Sequence, residues 1–199
     1  MQINNLQNLL ELFFEQYKLQ NKNEVFLQPL RIDQKSFTWE ETFKSIIKLS
    51  EEIKKINNNG DRCLLISENR PEWMISDLAI MLSGSITVPA YTTYIEKDYE
   101  YIIQDCTPKV LIISNKDQFS KVKNIINEKS SIKKIISFED LELSNDIYTN
   151  FKDIISNINN LKLEVPHALV QSVDRLQLKV IQRKRKQLRR IRRPSLHGL

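Results

Sequence analysis

At 199 residues, with 41% hydrophobic and 28% charged side chains, the chain can bury one real core and has the make-up of an ordinary water-exposed globular domain. Its only glycines are Gly60, Gly84 and Gly198, and its only histidines are His167 and His197. A Gly-rich phosphate cradle, a Ser/His or Cys/His nucleophile pair and a His-ligated zinc site are therefore excluded from the first 165 residues.

The first predicted element is an amphipathic helix over 3–17, where Ile3, Leu6, Leu9, Leu10, Phe13, Phe14 and Tyr17 recur at 3–4 spacing. Val25-Phe26-Leu27 and Ser36-Phe37-Thr38 read as two short strands of a hairpin joined through Pro29. Thr38-Trp39-Glu40-Glu41 is a capping box, in which a Thr hydroxyl and a Glu carboxylate satisfy free backbone N–H groups. The helix it opens turns Phe43, Ile46, Ile47, Leu49, Ile53 and Ile56 inward and stops at Asn57-Asn58-Asn59-Gly60. The period then changes. Cys63-Leu64-Leu65-Ile66 is an unbroken apolar run, the pattern of a strand covered on both faces.

Asn69 is expected to cap the next helix, with Pro71 in its first turn, Trp73, Ile75, Leu78, Ala79 and Leu82 inward, and Gly84 closing it. Thr87-Val88-Pro89, Val110 to Ile113 and Lys134 to Phe138 read as strands. Helices are expected over 97–105, 118–127 and 148–159. Alternating strands and helices at this interval give right-handed βαβ units. The predicted fold is an α/β three-layer domain with a mostly parallel sheet.

Two strand ends are candidate ligand edges, since open α/β sheets bind at the carboxyl ends of their strands. The first is Ser67-Glu68-Asn69-Arg70-Pro71-Glu72-Trp73, where a structural reading suffices: Asn69 as cap, Arg70 as partner of Glu72 or Glu68, Trp73 as core anchor. The second is Val88 to Tyr94, a strand end feeding a loop, for which the plainer reading is a loop packed by two tyrosines.

The segment Gly60 to Trp73, read as GDRCLLISENRPEW, resembles the first core motif of the adenylate-forming superfamily. Ser76 to Met81 and then Gly84 to Tyr94 resemble the long-chain fatty acid branch, the AMP-forming acyl-CoA synthetases. The likeness covers about 155 residues, far beyond a short motif. It implies the N-terminal subdomain of the adenylate-forming fold, an N-terminal portion of a long-chain fatty acid–CoA ligase, with the loop after Val88 on the substrate side and Tyr91, Thr92 and Thr93 lining an acyl or nucleotide edge. In that reaction a fatty acid carboxylate attacks the α-phosphate of ATP, with magnesium assisting, and the coenzyme A thiol then displaces AMP. The family's phosphate loop, its aromatic-Gly-x-x-Glu and Thr-Gly-Asp motifs and its mobile lysine have no counterpart here. No catalytic, cofactor-binding or metal residue carries over, so ATP, magnesium and CoA are implied for the full-length enzyme only. The chain alone is expected to be inactive.

Beyond about Pro166 the composition shifts. All 17 asparagines lie at or before Asn160, and residues 166–199 hold ten Lys and Arg against Asp174 alone. That gives the tail +9 and leaves −4 for residues 1–165, within a net +5. The expected division is a partial synthetase domain over 1–165 and a basic tail over 166–199. Three readings of the tail stand open: a shifted reading frame, a disordered solvated end, or a real basic helix with Leu169, Val173, Leu176 and Val180 on one side. In the last case Arg183, Lys184, Arg185, Lys186, Arg189, Arg190, Arg192 and Arg193 would meet an anionic membrane surface or RNA, a non-enzymatic alternative to the ligase. Isolated Cys63 and Cys106, no apolar run near 18 residues and no leader pattern point to the cytoplasm, with peripheral membrane contact as an option.

Overall fold

The structure is a computed structural model that describes residues 8–156, apart from residues 33 and 127–129, together with residue 158. Its elements run α1 (Leu9–Leu19), β1 (Val25–Leu27), β2 (Phe37–Thr38), α2 (Trp39–Lys54), β3 (Arg62–Ile66), α3 (Pro71–Leu82) and β4 (Ile86–Ala90). They continue with α4 (Glu96–Cys106), β5 (Val110–Ile113), α5 (Lys116–Ser120), β6 (Lys134–Ser137), β7 (Tyr148–Asn150) and α6 (Phe151–Ile155).

The apolar runs of β3 and β5 place them inside a five-stranded sheet of order β4-β3-β5-β6-β7, parallel at every pairing. Alternate residues face opposite layers. Cys63, Leu65, Val110, Ile112 and Ile136 pack under α1, α2, α3 and α6. Leu64, Ile66, Leu111, Ile113 and Ile135 pack against Tyr99 and Ile103 of α4 and against Val122 and Ile132. These are the three expected layers. Pro89 sits on β4, the outermost strand, where a missing N–H costs no ladder bond.

The predicted capping box is present: Glu41 N–H donates to Thr38 Oγ1 at 3.1 Å, and Thr38 N–H donates to Glu41 Oε2 at 3.0 Å. The β1–β2 pair is antiparallel as expected, and Phe26 of β1 stacks on Trp39 with ring centroids 3.8 Å apart.

Four expectations are corrected. The first helix begins at Leu9, because Asn8 caps it by accepting from Glu11 N–H at 2.9 Å; Ile3 and Leu6 lie outside the described residues. Helix α3 is capped at Arg70, not Asn69, since the residue before Pro71 is pushed out of the helical region and Arg70 is extended at φ −154°, ψ 161°. The helix expected over 118–127 is only α5, after which Val122 and Ile125 N–H groups bond three residues back, in tighter turns. The helix expected over 148–159 is instead β7, parallel to β6, followed by α6, whose cap Asn150 accepts from Lys152 N–H at 2.8 Å. Among the described residues no helix is long and apolar enough to cross a membrane.

The amino-terminal edge of the sheet is closed by two glycine turns bonded to one another, Gly60 N–H to Gly84 O at 2.8 Å. Both have positive φ, +85° and +80°; a Cβ at Gly60 would meet nothing within 4 Å, whereas one at Gly84 would stand 2.4 Å from Asn59 Oδ1. Beside them Asp61 accepts from Lys109 Nζ and from Asn58 N–H, each at 2.7 Å. Burial pushes the Asp61 carboxyl up, but these bonds outweigh it and hold it below its ordinary value.

Two stability measurements follow from this edge. Gly60→Ala should cost about 1–2 kcal/mol in urea unfolding, from left-handed strain alone. Gly84→Ala should cost more, and adding Asn59→Ala should recover the excess; equal costs for the two glycines would refute the close approach. Asp61→Asn should weaken the fold by up to about 1 kcal/mol at neutral pH. Because Asp61 is depressed in the folded state, that deficit is full above the unfolded value near 3.8 and vanishes as pH falls through the folded value. A deficit constant with pH would contradict it.

Candidate functional site at the carboxyl edge of the sheet

All five strands run the same way, so their carboxyl ends gather on one edge. Among the described residues three cavities open there, and the turn Ser67–Trp73 after β3 is a wall of each. A cleft of about 440 Å³ lies between this turn and the loop after β4, lined by Ser67, Glu68, Asn69, Trp73, Pro89, Ala90, Tyr91 and Thr92. A polar cleft of about 630 Å³ lies over β5 and β6, with Arg70, Glu72, Asn115, Lys116, Glu139 and Asp140 among its walls. An apolar groove of about 400 Å³ runs behind the turn, between α3, the start of α1 and the residues after β1.

Of the candidate residues, Tyr91 and Thr92 line the first cleft beside Ser67, Glu68 and Asn69, while Thr93 is exposed and outside its lining. Tyr91 is 72% exposed, so its ring is presented to whatever enters. The loop itself is pinned from two sides. Tyr99 of α4 donates its hydroxyl to Tyr91 O at 2.7 Å, and Lys121 Nζ donates to Thr92 O at 2.5 Å. Burial, with Asp98 and Tyr94 adding to it, pushes the Tyr99 hydroxyl up to about 12, so it remains a donor at neutral pH. These anchors carry no local sequence signal, since each reaches the loop from a later helix or turn.

The opposite wall is held by Arg70. Its side chain is only 5% exposed, with Glu72 Oε2 at 2.9 Å, Glu139 Oε1 at 2.8 Å and Glu68 Oε1 at 3.5 Å. The guanidinium also lies 5.3 Å over the Phe138 ring. Burial lowers its proton affinity, but hydrogen bonds to Glu72 and Glu139 more than compensate and hold the pKa above the ordinary arginine value. The fork geometry of arginine permits several carboxylates at once. One residue thus ties the turn after β3 to the end of β6.

Ser67 Oγ donates to Glu68 O at 2.8 Å, so its hydroxyl proton is engaged by the backbone. Cys63 is buried within the sheet and its thiol is pushed up to about 12, mainly by burial. Among the described residues no group of three His, Cys, Asp or Glu is placed to hold a metal ion. The basic residues Arg183 to Arg193 lie outside the described residues.

A family model described as AMP-binding enzyme matches residues 13–174. Over 85 residues the chain is 34% identical to fatty acyl-CoA synthetase A of Dictyostelium discoideum, a match covering 42% of this chain and 12% of that protein. It is 23% identical over 135 residues to long-chain-fatty-acid–CoA ligase ACSBG2 of Mus musculus, covering 65% of this chain and 20% of that one. The solved anthranilate CoA ligase AuaEII, in complex with anthranoyl-AMP, superposes with a TM-score of 0.63 at 20% identity, over 74% of this chain and 27% of that chain. At that identity the likeness speaks for the fold. The chain spans between 12% and 20% of the length of these two curated relatives.

The Arg70 node sets a clear expectation. Arg70→Ala leaves Glu72 buried without its cation and should cost about 3–5 kcal/mol in chemical unfolding. Arg70→Met combined with Glu72→Met should recover most of that loss. A loss below about 1 kcal/mol for Arg70→Ala would mean the guanidinium bears no structural load.

Proposed function

Because the chain belongs to the AMP-binding enzyme family, whose model spans residues 13–174, we propose that it serves a long-chain fatty acid–CoA ligase as the sheet edge that frames the substrate. The reaction consumes a fatty acid, ATP and CoA and yields acyl-CoA, AMP and diphosphate. The observation that carries this reading is the run of similarity to fatty acyl-CoA synthetases across a chain whose carboxyl edge holds a framed cleft.

Within that reading Tyr91, Thr92 and Thr93 are the substrate-edge loop. The first two stand beside Ser67, Glu68 and Asn69, which suits hydrogen-bonding and apolar parts of a substrate better than phosphates, because Glu68 puts a carboxylate in the wall. Both described glycines close the opposite edge of the sheet, and Arg70 already occupies the three carboxylates of Glu68, Glu72 and Glu139. No chemical step is assigned to this chain's own residues, and the chain by itself does not turn over.

Two assays on purified material test the reading. The 199-residue chain, given ATP, magnesium, a long-chain fatty acid and CoA, should release no diphosphate above the blank; thioester formation would refute the inactivity. A chimera carrying residues 13–165 in place of the aligned segment of the Dictyostelium synthetase should make long-chain acyl-CoA. A chimera that melts cooperatively yet forms no acyl-adenylate would contradict the assignment.

A further inference from the structure

Tyr91 and Thr92 line the cleft beside the turn after β3, but the groups that place them lie outside its lining. Tyr91 O accepts two hydrogen bonds, from Tyr94 N–H at 3.2 Å and from the Tyr99 hydroxyl at 2.7 Å. The rings follow the same line: Tyr99 is fully buried, Tyr94 meets it edge-on at 6.0 Å, and the exposed Tyr91 ring meets Tyr94 edge-on at 5.4 Å. Thr92 O accepts from Lys121 Nζ at 2.5 Å, and the same ammonium donates to Gln118 Oε1 at 3.3 Å. Both acceptors are neutral. A half-buried lysine is ordinarily left to water, because fixing its four-carbon stem costs rotamer freedom; here that cost is met by a charge-assisted bond to a loop carbonyl. The position of Lys121 is set by α5, whose cap Asn115 accepts from Gln118 N–H at 3.0 Å. Lys121 therefore carries the placement of the β5 end across the sheet edge to the loop after β4.

We infer that Lys121 is a positioning residue for this cleft: it holds Thr92, and with Tyr99 the ring of Tyr91, in place before any ligand arrives. The inference rests on the reading of Tyr91, Thr92 and Thr93 as a substrate-edge loop. Without its tether the loop must be ordered at the moment of binding, and that cost falls on affinity. Loss of the tether is therefore felt in KM, whereas the chemical step, to which the loop contributes no group, keeps its rate.

Two measurements with Lys121→Met and Lys121→Arg test it. In the 199-residue chain, Lys121→Met should speed hydrogen exchange at the Tyr94 amide about tenfold and leave the Leu64 and Leu111 amides unchanged. Lys121→Arg, which keeps a charged donor, should exchange as the parent does. An unchanged rate at Tyr94 would overturn the tether, and equal acceleration at Leu64 and Leu111 would make Lys121 a residue of the fold at large and overturn it too. In the Dictyostelium chimera carrying residues 13–165, Lys121→Met should raise KM for palmitate, ATP or CoA about fivefold at constant kcat, with Lys121→Arg restoring it. KM unchanged for all three, or a fall in kcat alone, would overturn the positioning role. An inactive parent chimera would count against the ligase reading instead, and the exchange rates would still decide the tether.

Discussion

A strand covered on both faces has no water to satisfy its backbone, so every peptide group must find a neighbouring strand. Strand β3 is in that position: Cys63 to Ile66 are fully buried, and the strand pairs with β4 on one side and β5 on the other. Its apolar residues alternate, so neither face can meet water, and helices must cover both. The parallel sense of the pairing follows from the helical crossovers α3 and α4. Once that sense is set, every strand delivers its chain to the same edge. The cleft between Ser67 and Thr92 is a by-product of this arrangement, before any side chain is chosen for a ligand.

What side chains add is rigidity at that edge. Two loops frame the cleft, and each is fixed by contacts from a distant part of the chain. Arg70 draws Glu68, Glu72 and Glu139 together over Phe138, joining the ends of β3 and β6. Tyr99 and Lys121 hold the loop after β4 through its carbonyl oxygens, leaving the side chains of Tyr91 and Thr92 free to face outward. The opposite edge is closed by its own hydrogen bonds. There Asn57 donates to Cys63 Sγ at 3.2 Å and to Ser85 Oγ at 3.1 Å, and Ser83 donates to Ser85 at 2.9 Å, a buried polar set beside the two glycine turns. The open clefts and the closing turns thus stand at opposite ends of the same strands.

Much of this could be read from the residues. The unbroken runs at Cys63 and Val110 announced buried strands, and Thr38 with Glu41 announced a helix start, because each pattern has one physical cause. Strand β7 was invisible, since Tyr148-Thr149-Asn150 is too short to show a period and flows directly into helical residues. The boundary at Arg70 was misplaced by one residue: a good capping residue, Asn69, stood next to a stronger constraint, the proline that follows Arg70. At the carboxyl edge, the strand ends could be located from the pattern, and the loop after β4 does lie beside the turn after β3. The partners that hold it could not, because contacts such as Lys121 to Thr92 span 29 residues and depend on where the whole sheet has placed its ends. Lys35 offers a similar case: its ion pair with Glu41 at 2.8 Å reinforces a cap that sequence shows, from a loop where sequence shows nothing.

The claim that β3 organises the fold is tested most directly by native-state amide hydrogen exchange. The account predicts that the amides of Leu64, Leu65, Leu111 and Ile112 exchange only through global unfolding, with the highest protection in the chain. The turns after α5 and the loop 91–94 should open at much lower free energy. Protection in β3 no greater than in those turns would contradict the account, because the strand would then be an edge of the structure and not its centre.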